Sequence, residues 1–128
     1  MIDYGFMKEL DIPFEKAVEL VAEELKKEGF GILTQIDVKE KFKEKLNINF
    51  KKYMILGACN PSNAHKAILA EETIGLMLPC NVIVYEKREK TLVGIIRPTV
   101  AMGMIENEKL KDIAENVEAK LKKVFESI

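Results

Sequence analysis

Residues 80–96 set the narrowest limit on what this chain can fold into. Cys80-Asn81-Val82-Ile83-Val84-Tyr85-Glu86 reads as a β-strand, dominated by β-branched and aromatic residues. Lys87 to Lys90 is a turn of charges, and Thr91 to Ile96 returns as a second strand. A connection this short joins only antiparallel neighbours, because a parallel pair needs a crossover of a dozen residues or more. Any sheet in the molecule must be built around this hairpin.

The remaining segments supply its flanking elements. Tyr4 to Leu10 alternates loosely and is expected to open the fold as a strand. Pro13 suits the first turn of a helix that carries Val18, Val21, Ala22 and Leu25 on one face. Gly29 ends that helix, since a left-handed cap favours a residue without Cβ. Phe30 to Ile36 reads as a strand, and Asp37 with Glu40 forms a capping box for a short helix carrying Phe42 and Leu46. A strand over Lys51 to Ala58 runs into Cys59-Asn60-Pro61, where Asn60 is a natural N-cap and Pro61 a natural first helical residue. That helix turns Ala64, Ala67 and Ile68 inward, with His65 one step off the stripe. Thr73 to Pro79 is apolar and irregular, and Pro98 to Ile105 suggests a short helix. Asn107 caps a long closing helix whose stripe is Leu110, Ile113, Val117, Leu121, Val124 and Phe125.

Helices and strands therefore interleave around an antiparallel pair. The expected class is α+β, an antiparallel sheet with helices on one face and the other face solvated or covered by a partner. A chain of 128 residues, 48% of them hydrophobic, is expected to form a single domain over residues 1–128 with its own core. Its net charge of −1 gives no electrostatic case for nucleic acid or an anionic membrane. The opening residues MIDYGFMKEL lack the pattern of a signal peptide, and no apolar run approaches the roughly 20 residues of a membrane span. Two cysteines make no disulfide framework. The cytoplasm is the expected compartment.

Three segments are similar to the signatures of a known family. Glu28-Gly29-Phe30-Gly31 running into Thr34-x-Ile36-Asp37-Val38 is the first. Tyr53-x-Ile55-Leu56-Gly57-Ala58-Cys59-Asn60-Pro61, followed by Ala64, is the second and most specific. Gly75-Leu76-x-Leu78-Pro79-Cys80-Asn81-Val82 is the third. In order and without large gaps, they resemble the family catalogued as domain of unknown function 302, from about Pro13 to the end of the last helix. The resemblance implies a TATA-binding-protein-like arrangement, with a curved antiparallel sheet, a long helix packed on it, and a tendency to form homodimers. It implies no catalytic residue, and shared fold alone says nothing of DNA binding.

The feature with chemical content is a doubled Cys-Asn, since Cys59-Asn60 closes one strand and Cys80-Asn81 opens another. The intervening helix travels roughly 15 Å at 1.5 Å per residue, and the seven residues from Thr73 to Pro79 can span roughly 23 Å, enough to bring the chain back. Cys59, Asn60, Pro61, Cys80 and Asn81 are thus the candidate frame of a small-molecule or metal site. With His65, the two thiols make three ligands able to hold zinc or copper, although the spacing matches no known zinc pattern. Alternatively, Cys59 just before a helix N-terminus is a redox thiol, or a nucleophile with His65 as base. In the plainest reading both cysteines pack as small hydrophobes, while Asn60 and Pro61 are helix-starting devices.

Other patterns carry less. Lys39, Lys41, Lys43, Lys45, Lys51 and Lys52 alternate with Glu40 and Glu44 as a solvated face. Met77, Met102 and Met104 suit either core filling or an adaptable pocket. The glycines never cluster into a phosphate-binding loop, and no pattern names a cofactor. Two functions follow: a homodimeric binding protein framed by the Cys-Asn segments, or a small thiol-dependent enzyme or redox protein using Cys59.

Overall fold

The structure, a computed structural model, describes residues 2–128. The hairpin lies at its centre. β4 (Cys80–Lys87) and β5 (Lys90–Ile96) are antiparallel, with Val84 opposite Val93 and Lys87 opposite Lys90. Arg88 and Glu89 alone make the turn, with φ of 51° and 66°. Left-handed backbone at both positions matches the twist of the strands, at a cost of about 1 kcal/mol for each residue that has a Cβ.

The remaining strands extend the sheet outward on both sides. β1 (Gly5–Leu10) lies along β5, β3 (Tyr53–Cys59) along β4, and β2 (Gly31–Asp37) along β3. The order is β1-β5-β4-β3-β2, and every neighbouring pair is antiparallel. The register between β2 and β3 shifts once, between Ile32 and Thr34. Leu33 is the extra residue of that bulge and is left two-thirds exposed, at 67%.

Alternation then sorts the sheet into two faces. Leu56, Ala58, Cys80, Val82, Val84, Val93 and Ile95 are buried on one. Against them pack α1 (Phe14–Lys27), through Phe14, Ala17, Val21 and Leu25, and α5 (Glu108–Ser127), through Val117, Leu121 and Val124. Each such aliphatic side chain taken fully from water contributes about 1.5–3 kcal/mol, so this layer is the main source of stability. α2 (Val38–Leu46) fills the β2–β3 connection and buries none of its residues. α3 (Pro61–Ala70), a 3₁₀ segment (Glu72–Met77) and α4 (Pro98–Ala101) gather around a second, smaller core of Ala67, Ile74 and Leu110.

The sheet with helices on one side is the α+β architecture expected, and it is compatible with a TATA-binding-protein-like arrangement. Local departures have local causes. The stripe of α1 is rotated by about one position from the expected one, because Phe14 and Ala17 enter the core while Val18 stays at its margin. In α5 the small Ala114 is buried, and Ile113 and Phe125 lie at the edges. The Thr73–Pro79 stretch is ordered as a 3₁₀ segment pinned by the buried Ile74. Only half of the Asp37/Glu40 box forms, Glu40 N–H donating to Asp37 Oδ1 at 3.0 Å, since Asp37 is still the last residue of β2. Gly29 does take the left-handed conformation, at φ 84°.

Candidate functional site

β3 runs into Cys59 and β4 starts at Cys80, and the register places Ala58 opposite Cys80 and Gly57 opposite Asn81. The two Cys-Asn segments therefore lie side by side at one end of the central strands. The return path is the compact 3₁₀ segment followed by a cis Leu78–Pro79 peptide. Cys80 follows Ala58 onto the helix-covered face and is buried, whereas Asn81 follows Gly57 onto the opposite face and is exposed. Cys59 is half-buried.

Asn60 does more than start α3. Its Oδ1 accepts from Asn63 N–H at 3.3 Å and from Asn63 Nδ2 at 3.2 Å. Its Nδ2 donates to the carbonyl of Glu28 at 3.4 Å, at the end of α1. Asn63 Oδ1 in turn accepts from Asn116 Nδ2 of α5 at 3.2 Å. This chain of amides ties three helices together at the mouth of the site. It also explains why Gly29 stands where it does, since a Cβ there would lie 3.1 Å from Asn60 Nδ2.

Asn63 was not among the expected site residues. Its burial turns α3 so that Asn63 and Ala67 face inward, Ala64 is half-buried and Ile68 is exposed at 43%, in place of the expected Ala64, Ala67 and Ile68 stripe. A buried asparagine breaks the apolar period, and the only hint in the chain is the Asn60-x-x-Asn63 spacing of a cap with its third residue.

Between these segments and the helices lies a cleft of about 300 Å³. Ala58, Cys59, Asn60, Pro79 and Cys80 line one side; Asn63, Ala64 and Ala67 of α3, with Met102, Ile113 and Val117, line the other. Phe30 and the bulged Leu33 reach it from β2 and its approach. Its lining is apolar apart from the thiols and the amides. Among the described residues no buried side-chain nitrogen or oxygen lacks a partner, so the amides here are already bonded within the protein.

The thiols are un-ionised at neutral pH. Burial pushes Cys80 from 9.0 to about 11, with the neighbouring Cys59 adding to the rise. Burial also pushes Cys59 up, contrary to the thiolate expected beside a helix N-terminus. No cation lines the cleft around the sulfur to offset that desolvation. Both cysteines are free. His65 is exposed on α3, and no three His, Cys, Asp or Glu side chains among the described residues are grouped to hold a metal. The Cys59, Cys80 and His65 set does not come together. His65 also lies outside the cleft lining, which removes the base that a Cys59 nucleophile would need.

Comparison with known proteins agrees with this architecture. Residues 6–128 match the model of the family described as "Domain of unknown function DUF302". The chain is also similar to an uncharacterized conserved protein DUF302 from Bacillus stearothermophilus, solved by crystallography. The two are 32% identical, with a TM-score of 0.90 over 97% of each chain. No curated protein matches.

Proposed function

The chain belongs to the DUF302 family, and from that premise we propose that it is a homodimeric binding protein whose cleft takes a small apolar molecule. The observation that carries this reading is the meeting of Cys59, Asn60 and Cys80 at one apolar cleft, with Pro61 and Asn81 exposed outside its lining. Sites for small molecules are concave and mostly apolar, and 300 Å³ is at the lower end of their usual size. The amides are spent on holding the helices, so the ligand is recognised by shape and burial, with the neutral thiols as soft contacts at the floor. The whole of residues 1–128 acts as one domain in this reading. Two free thiols fit a reducing compartment, the cytoplasm, and no helix among the described residues is long and apolar enough to cross a membrane.

The thiol-dependent alternative lacks an activated sulfur and a base, so the binding reading stands ahead of it. Native mass spectrometry of protein purified without chelator tests both. A small molecule retained by the wild type and lost from Ala64→Phe, which fills the cleft, supports binding. An empty wild type that also fails to take up small hydrocarbons or aromatics in titration refutes it. Rapid alkylation of Cys59 in the native state at neutral pH would favour the thiol chemistry instead.

A further inference from the structure

The sheet face away from the helices is more apolar than a solvated surface needs to be. The register sets Met7, Ile36, Tyr53, Ile55, Ile83, Tyr85 and Leu92 on that side, and none of them belongs to either hydrophobic core. Gly57 and Gly94 share the face. A Cβ on Gly94 would press against Met7 Sδ and the Ile83 side chain, and one on Gly57 against Thr34 Oγ1 and Pro79. These side chains lie over the two glycines. Tyr53 and Tyr85 stack with ring centroids 5.1 Å apart. The charges on this face, Glu9, Lys51, Lys87 and Lys90, stand towards its rim, with Lys51 Nζ 4.9 Å from the centre of the Tyr85 ring.

We infer that this face is the interface with a second copy of the chain, packed sheet on sheet. The inference rests on the pairing proposed above and assigns its surface. Five strands about 4.8 Å apart and about 20 Å long present roughly 500 Å² each, so two faces together bury about the 1,000 Å² that a specific interface requires even before side-chain relief. An apolar middle with a charged rim is the anatomy of such an interface. What fits an apolar middle with a charged rim is another sheet face of the same pattern, at the roughly 10 Å spacing of packed sheets. The same face on a second copy meets that description, through a twofold arrangement.

Sedimentation of the full chain, with Ile83→Lys and the milder Ile83→Thr, tests the assignment. The wild type is expected at twice 14.6 kDa at micromolar concentration. Ile83→Lys is expected to weaken association at least 100-fold and Ile83→Thr about tenfold, with native far-UV circular dichroism in the latter. Leu76→Lys, at a position 91% exposed elsewhere on the molecule, is expected to leave the dimer intact. A wild-type dimer equally tight in the folded Ile83→Thr variant and in a folded Ile83→Lys variant overturns this surface while leaving the pairing. A monomeric wild type at about 100 μM overturns the pairing and the surface together.

Discussion

Raising the pH should destabilise the protein through Cys80, by an amount that can be worked out. The thiol lies at the floor of the cleft, 9% exposed, and its pKa is pushed from 9.0 to about 11 chiefly by burial. Between those values the unfolded chain has released a proton that the native chain still holds. Stability therefore falls as pH rises, from no loss below about pH 8 to the full loss above about pH 11. At about pH 10, one unit above the unfolded value and one below the native one, the loss is about 1.4 kcal/mol, and it reaches about 2.7 kcal/mol at completion. An unfolding entropy of about 2.1 cal/mol/K per residue turns 1.4 kcal/mol into a fall in Tm of about 5 °C. Lysines and tyrosines titrate over the same range, so the assay compares Tm at about pH 8 and pH 10 for the wild type and for Cys80→Ala, under reducing conditions. The wild type should lose about 5 °C more than the variant. Equal losses would show that Cys80 meets water in the native state, and the closed apolar floor of the cleft would have to be abandoned.

Two further perturbations address the frame of the site. Asn60→Ala removes the α3 cap together with the bonds to Glu28 and Asn63, and urea unfolding should show a loss of about 2 kcal/mol, more than the roughly 1 kcal/mol of a cap alone. Gly57→Ala places a methyl group 2.7 Å from the rigid Pro79 ring and against Thr34 Oγ1, and should cost about 1–3 kcal/mol; adding Thr34→Ala should restore only part of it.

Much of the scaffold is legible in the chain because it depends on short-range devices. The charged turn at 87–90 dictates antiparallel pairing, Gly29 stops a helix, and Asn60, Pro61 and Asn107 start them. Each works within four or five residues, so spacing reveals it. The relation of Cys59 to Cys80 depends instead on inter-strand register, which 20 intervening residues leave open. The metal set fails for a similar reason. A helix stripe can be read to within about one position, and that one position carried His65 outward and brought Asn63 in. The Asn60–Asn63–Asn116 chain involves a residue of the last helix and has no local signature at all. The cleft likewise needs the bulge at Leu33, where one extra residue re-aims a side chain without changing the composition of the strand.

The place of β1 has a consequence for synthesis. It is the first strand in the chain, yet its one neighbour is the last, with Gly5 opposite Ile96. At about 5–20 residues per second, a ribosome delivers that partner roughly 5–20 s after β1 itself. Throughout this interval Phe6 and Leu10 have no strand to lie against, while β2, β3 and β4 can already pair with one another. The topology thus lets β1 be seated only after β5 has been made, whatever the other strands have already paired with. A chaperone that guards this protein during translation should be found on residues 4–12.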